Sequence, residues 1–137
     1  MKKLTAGVLL WLVAVAAVAV PAKTGKSVNE GVYTAAQADR GAAVFKASCT
    51  ACHDAARFTG DEFLAGWTGK SLHALFDQMS TTMPEDNPGS LKAQQYADVV
   101  AYFLQLNGYP AGKSELTGAE AMKGITLDKK TGRRVGR

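Results

Sequence analysis

Residues 49 to 53 read CTACH, and this stretch constrains the chain more than any other. Cys49 and Cys52 are the only cysteines among 137 residues, and His53 is one of only two histidines. Two thiols three positions apart, followed directly by an imidazole, suit three chemistries. They are a redox dithiol, part of a zinc site, and covalent attachment of a haem. The surrounding sequence has to decide among them.

The segment before the motif predicts a helix. Thr34 and Gln37, three positions apart, match a capping box, in which each side chain satisfies a free backbone N–H of the other residue. One face of the predicted helix then carries residues at helical spacing: Ala38, Gly41, Phe45 and Cys49. Glycine inside a helix costs about 1 kcal/mol relative to alanine. A close approach by another backbone would account for Gly41, and the alternative is a tolerated weak spot in the helix.

If that helix continues through the motif, Cys49, Cys52 and His53 project from one face. A redox CxxC is expected beside a βαβ pattern, which this sequence lacks. A zinc site needs about four ligands, and His73 is the only further histidine or cysteine. By contrast, C-x-x-C-H is the signature of c-type haem attachment, in which two thioethers tether the porphyrin and the imidazole binds iron. The sequence therefore predicts one covalently bound haem c.

The N-terminal residues 1–22 predict a secretory signal peptide. Two lysines precede an uncharged apolar run from Leu4 to Val20, and a small-residue cleavage site ends at Ala22, with residues 17–19 as the alternative site. The alternative is an uncleaved membrane anchor, although 17 apolar residues lie at the short limit for crossing a bilayer. Under either interpretation the domain is expected outside the cytoplasmic membrane, in the periplasm. A membrane contact is expected only if the segment is uncleaved.

The remaining sequence predicts further helices and no strand-rich region. A short helical turn is expected after Asp61, and apolar periodicity indicates a helix over residues 70–80. The longest helix is predicted over residues 91–106, with Ser90 as its cap. We therefore predict an all-α fold of three main helices and short turns wrapped around the haem.

The predicted domain occupies residues 34–112. Residues 23–33 are polar and without period, which indicates a linker. Residues 113–137 form a C-terminal extension, in which Thr117 and Glu120 match a capping box for a short turn and the end is predicted to be disordered.

Charge is unevenly distributed along the chain. Residues 23–112 carry a net charge of −2 and residues 113–137 a net charge of +4. The net positive charge of the whole chain therefore comes from the tail and from the two lysines at the N-terminus. The sequence lacks the basic stripe with interleaved aromatics that indicates a nucleic-acid partner. The tail is either a solubilising end or a docking arm for an acidic subunit or anionic lipid. Its basic residues are Lys129, Lys130, Arg133, Arg134 and Arg137.

Iron bound by His53 needs a second axial ligand or keeps an open position. Met83 is the strongest candidate, because it lies in a loop directly before Pro84, which restricts it to an extended backbone. Methionine with histidine is the usual axial pair in cytochromes c. Met79 falls on the apolar face of its helix, where core packing is the expected role. The other candidates are Met122 and His73.

Four stretches resemble the class I (small, single-haem) cytochrome c family: GAAVFKASCTACH, GDEFLAGWTGKSL, TTMPEDNPGSL and QQYADVVAYFLQLNG. In that family a glycine and, four residues later, an aromatic residue precede the haem motif. Gly41 and Phe45 match this pattern. The resemblance implies that the C-terminal helix crosses the first helix, with Tyr102 or Phe103 packed at the contact. The resemblance covers residues 34–112. Within the family, the chain is similar to bacterial periplasmic members, and its His-to-Met interval is shorter than in mitochondrial types.

The predicted function is the transfer of single electrons between redox protein partners, a periplasmic dehydrogenase and/or a terminal oxidase, with no enzymatic activity. Trp67 is predicted to donate a hydrogen bond to a haem propionate, with plain packing as the alternative. Glu85 and Asp86 either form part of a partner-facing rim or are solvated loop charges. Two other functions stay open: an anchored subunit of a dehydrogenase or oxidase, and a five-coordinate haem with peroxidase-like or gas-binding activity.

Overall fold

The computed structural model describes residues 25–132, and the predicted signal peptide lies outside this range. The described residues form an all-α fold, as predicted, with five α-helices and little strand. The helices are α1 (Ala35–Ser48), α2 (Gly60–Trp67), α3 (Leu72–Thr82), α4 (Ala93–Leu106) and α5 (Ala119–Lys123). Two short strands, β1 (Lys26–Ser27) and β2 (Ile125–Thr126), pair in parallel. None of the helices in residues 25–132 has the length and apolarity needed to cross a bilayer.

The crossing of α1 and α4 organises the fold, and Gly41 permits it. A Cβ atom built on Gly41 would overlap the carbonyl oxygen of Asp98 and would lie 2.9 Å from the Cβ of Tyr102. The close backbone approach predicted from the glycine is therefore confirmed. Phe45, one turn later on α1, contacts both Tyr102 and Phe103, with ring centroids 5.7 and 5.8 Å away. Both candidate aromatics thus pack at the crossing.

The predicted linker is wrong for residues 25–33, which pack against the rest of the domain. Val28, Val32 and Tyr33 are buried, and Lys26 of β1 pairs with Ile125 of β2. The segment is mostly polar, and its buried apolar residues are too few to form a periodic pattern in the sequence.

The C-terminal extension also belongs to the core, so the predicted boundary at residue 112 is wrong. Four of its side chains are buried in the common apolar cluster: Leu116, Met122, Ile125 and Leu127. Helix α5 packs on α3. The start of the basic end is also held, since Asn29 accepts from the Thr131 N–H at 3.1 Å and donates to the Lys129 carbonyl at 3.0 Å. Residues 133–137 lie outside the described range.

A polar network ties the extension to the α1–α4 crossing. The buried Gln37 side chain donates to Asp98 Oδ1 at 3.1 Å and accepts from the Leu116 N–H at 2.8 Å. Arg40 bonds both Asp98 and Glu115, at 3.2 and 2.8 Å. The hydrogen bond from Arg40 is the main reason that the pKa of Glu115 is lowered, and the same contact raises the pKa of Arg40.

Three predicted caps differ from the structure. Thr34 does accept from the Gln37 N–H at 3.1 Å, but the Gln37 side chain turns into the network instead of completing a capping box. Helix α4 begins after Lys92 instead of Ser90. Helix α5 begins after Gly118 with no side-chain cap, so the predicted cap by Thr117 is wrong.

Candidate haem site

The CTACH motif forms a turn at the end of α1. Cys49 is the C-cap of the helix, and its carbonyl accepts from the N–H groups of Cys52 and His53 at 3.2 and 2.9 Å. The motif therefore does not continue the helix, which corrects the predicted helical face. Both thiols are free; Cys49 is half-buried, Cys52 is exposed, and burial raises the pKa of Cys49. The turn places two unpaired thiols beside one imidazole.

A cavity of about 700 Å³ opens beside this turn. Cys52, His53 and Asp54 line it together with Phe45 and Tyr102 of the helix crossing. His53 Nδ1 is buried and has no hydrogen-bond partner among residues 25–132. An imidazole that binds a metal through one nitrogen usually donates its other N–H to a partner. The His53 ring thus has unused hydrogen-bonding and ligand capacity, which fits a site for a further group.

Helix α2 presents apolar side chains that the protein covers only in part. Phe63, Leu64 and Trp67 are half-buried, and no residue of α2 is fully buried. Phe58, just before α2, stacks on Phe103 with ring centroids 4.4 Å apart and also meets the His53 ring edge-on at 5.5 Å. Partly covered aromatic and aliphatic surface next to His53 is suited to lie against a flat apolar porphyrin. The donor set and its surroundings therefore fit haem c.

Asn107 fixes the histidine segment, which we define as residues 49–60. It is the C-cap of α4 and is 5% exposed. Its amide nitrogen donates to the Phe58 and Phe103 carbonyls, both at 2.8 Å, and its amide oxygen accepts from the Gly60 N–H at 2.9 Å. One buried amide therefore joins the end of α4 to the chain that follows His53.

Met83 begins the methionine loop, which we define as residues 83–91. It is the C-cap of α3 and has φ −126° and ψ 150°, so the extended backbone predicted from Pro84 is confirmed. Met83 is half-buried and does not line the cavity beside the CTACH turn. Its carbonyl accepts from the Tyr96 hydroxyl at 2.6 Å. The structure thus brings Cys49, Cys52 and His53 together and holds Met83 on a separate segment.

The other candidate ligands have different surroundings. Met122 is fully buried in the core and Met79 packs against the core from its edge. His73 is half-buried on α3, close enough to Glu120 to contribute to the lowered pKa of that carboxyl, of which the Lys123 hydrogen bond is the main cause.

Trp67, Glu85 and Asp86 are the remaining predicted site residues. The Lys70 ammonium lies 5.0 Å from the Trp67 ring centroid, and the indole N–H donates no hydrogen bond within residues 25–132. Glu85 and Asp86 are exposed in the methionine loop. Over the same described range, no three His, Cys, Asp or Glu side chains come together as a metal-ion site.

Comparison with known families identifies the domain. Residues 36–103 match the family model described as "Cytochrome C oxidase, cbb3-type, subunit III", a monohaem class I-like cytochrome c family. The chain belongs to the class I-like cytochrome c family. Its cytochrome c domain binds haem c covalently and transfers electrons to and from redox protein partners. Neither the curated proteins nor the solved structures yielded a match to the chain.

The sequence did not predict the roles of two side chains, Tyr96 and Asn107, which hold the methionine loop and the histidine segment of this cytochrome c domain. Tyr96 looked like one more apolar position of a long helix, and only the structure places its hydroxyl on Met83. Asn107 had a weak local signal, since it precedes Gly108 where the helix was predicted to end. Its contacts with Phe58 and Gly60 span about 50 residues, so no local pattern could reveal them.

Proposed function

We propose that the protein is a periplasmic carrier of single electrons, with haem c bound through Cys49 and Cys52 and with His53 and Met83 as axial ligands. The observation that carries the proposal is the CTACH turn. Two free thiols and an imidazole with an unpartnered buried nitrogen lie together against partly covered apolar surface. When bound, the haem supplies reversible one-electron chemistry at its iron.

The chain's own residues then have defined roles. Cys49 and Cys52 would tether the haem, His53 would bind its iron, and Phe58 with the apolar side of α2 would exclude water from one region of the site. Met83 ligation would raise the reduction potential and fill the remaining axial position. With both positions filled, the iron has no place for a substrate, which argues for a carrier without enzymatic activity.

The tethering roles can be tested by extracting the protein under denaturing conditions and measuring its intact mass. The wild-type chain should keep one haem, and the double variant Cys49→Ser/Cys52→Ser should retain none. An Ala51→Ser variant in the same turn should behave like the wild-type protein. A haem lost from the wild-type chain, or kept by the double variant, would overturn the attachment.

The ligand role of Met83 has its own test. Oxidised Met83→Ala should lose the weak far-red absorption band of methionine-ligated ferric haem. Met79→Ala, one helical turn earlier, should keep that band even if the protein is less stable. If the band survives in Met83→Ala and disappears in Met79→Ala, the ligand is Met79.

A second candidate is a cytochrome subunit bound to a larger oxidase or dehydrogenase complex. The matching family carries the description of an oxidase subunit, and an uncleaved segment at residues 4–20 would supply an anchor. The iron chemistry would be unchanged. Fractionation of cells expressing the full chain separates the two: a carrier is recovered in the soluble periplasmic fraction with its first 22 residues removed, whereas a subunit stays with the membrane.

A further inference from the structure

The Tyr96 hydroxyl closes the methionine loop on both sides. It donates to the Met83 carbonyl at 2.6 Å and accepts from the Leu91 N–H at 3.5 Å. Met83 and Leu91 are the two ends of the loop, so one side chain of α4 joins both ends. Tyr96 itself is only 4% exposed.

The position of Tyr96 is fixed independently of the loop. Its ring meets Phe76 of α3 edge-on, with centroids 6.2 Å apart, and its backbone belongs to the first turn of α4. A phenol held by two helices has few rotamers to lose, so its hydrogen bond can impose a position on a more mobile partner.

The loop has little other support at Met83. The Met83 N–H donates to the Met79 carbonyl at 2.9 Å, which continues α3. The Met83 carbonyl accepts one further and longer bond, from the Gly89 N–H at 3.4 Å. Most residues of the loop are exposed. The Tyr96 hydroxyl is therefore the short link between this loop and the core.

We propose that Tyr96 is a positioning residue that keeps Met83 on the iron. The inference rests on the proposed ligation by Met83. Removing the hydroxyl leaves the thioether in place but frees the Met83 backbone, so methionine should spend a larger fraction of time off the iron. A net hydrogen bond corresponds to roughly a three- to tenfold change in an equilibrium constant.

The test is competition by imidazole for the sixth position of the oxidised holoprotein, followed by loss of the far-red band. Because imidazole binds only when Met83 has left, its apparent affinity reports the off-iron fraction. Tyr96→Phe should bind imidazole roughly three- to tenfold more tightly than the wild-type protein. The reduction potential, measured on the same samples, should fall as methionine ligation weakens.

Tyr33→Phe is the matched control. Tyr33 is also a buried tyrosine, and its hydroxyl donates to the Tyr109 carbonyl at 2.7 Å, outside the methionine loop. It should lose a similar amount of stability and keep wild-type imidazole affinity and potential. If Tyr33→Phe and Tyr96→Phe raise imidazole affinity equally, general destabilisation explains the effect and the proposal is overturned.

Two further variants separate the possible failures. Gly89→Ala strains a residue with φ +76° in the exposed loop, where the added Cβ would lie 3.4 Å from the Ser80 carbonyl oxygen, and should raise imidazole affinity even if Tyr96→Phe yields no holoprotein. Wild-type affinity in Gly89→Ala, or in a folded Tyr96→Phe, would overturn the positioning role. Met83→Ala tests the ligand itself: if it keeps the far-red band, the proposed ligation fails; if it loses the band while Tyr96→Phe matches the wild-type protein, only the positioning role fails.

Discussion

The histidine segment and the methionine loop are both held by α4, but not equally. Asn107 makes two hydrogen bonds of 2.8–2.9 Å to the histidine segment and a third, of 2.8 Å, to Phe103 of α4, and Phe58 also stacks on Phe103. The methionine loop has the Tyr96 hydroxyl bond at Met83, a 2.9 Å bond from the Met83 N–H back to Met79 of α3, and longer bonds of 3.4–3.5 Å. Two covalent tethers would further secure the histidine side.

This difference has a physical consequence for the proposed axial pair. The histidine segment is secured by a buried amide, stacked aromatics and its own turn, so His53 should stay in place while the protein is folded. The methionine loop is joined to α4 by one short hydrogen bond at Met83 and contacts the core through the half-buried Leu91. Local opening begins where buried contacts are few, so Met83 should be released first.

Separating α1 from α4 should disrupt both the histidine segment and the methionine loop and give the largest loss of stability. Gly41→Val places branched carbons where even one Cβ would overlap the Asp98 carbonyl oxygen. We expect a loss of more than about 4 kcal/mol, enough to abolish the folded holoprotein. The control Gly66→Val lies in α2 with no atom within 4 Å of an added Cβ, and should change stability by less than about 0.5 kcal/mol. Urea unfolding of both variants checks this, and equal midpoints would contradict it.

Removing packing beneath α3 should disturb the methionine side more than the histidine side. Met122 of α5 is fully buried, α5 packs on α3, and Met83 directly follows α3 as its C-cap. Met122→Ala should cost about 3 kcal/mol and raise amide hydrogen exchange in the methionine loop more than in the histidine segment. Lys123→Ala, exposed on the same helix, should cost less than about 1 kcal/mol. Equal exchange in the two segments would contradict the asymmetry.

Asn107→Ala should produce the opposite pattern. The variant leaves the Phe58 carbonyl and the Gly60 N–H without their partner, at a cost of about 2 kcal/mol. Exchange should rise in the histidine segment, and the far-red band should persist because the methionine loop is untouched. Gln105→Ala, exposed on the same helix, is the control. Loss of the band in Asn107→Ala alone would show that the two sides are not held separately.

The smallest expected effect is a pH dependence at Arg40 and Glu115, which belong to neither segment. Arg40 lowers the pKa of Glu115 below its ordinary value of 4.5, so the ionised carboxylate stabilises the folded state. This contribution is present above pH 4.5 and is lost as the pH falls through the lowered pKa. The stability difference between wild-type and Glu115→Gln should therefore shrink from about pH 7 to about pH 3, by urea unfolding. A constant difference would exclude this ion pair as its cause.

The sequence predicted the parts of the fold that depend on local pattern. Helical spacing and Gly41 indicated α1 and its close contact, and the Pro84 restriction on Met83 is present in the backbone. The packing of residues 25–33 and 113–128 was not predictable in this way. These segments meet through a two-residue parallel ladder and isolated buried side chains such as Val28 and Leu116, which leave no periodic signal.

The candidate site divides along the same line. The CTACH letters identify the attachment chemistry because the spacing of its groups is itself local. Its placement in a turn after Ser48 depends on where the helix ends, which is the least certain boundary in sequence reasoning. The contacts of Tyr96 and Asn107 join residues 13 and about 50 positions apart, so they become visible only in the folded structure.

We propose an electron-transfer haem whose sixth position is filled by Met83. Mixing the reduced holoprotein with carbon monoxide and recording its absorption spectrum tests this ligation. The wild-type spectrum should stay unchanged on mixing, and Met83→Ala should shift at once to the carbon-monoxide form. An immediate shift of the wild-type spectrum would reveal an open or labile position and contradict the six-coordinate carrier.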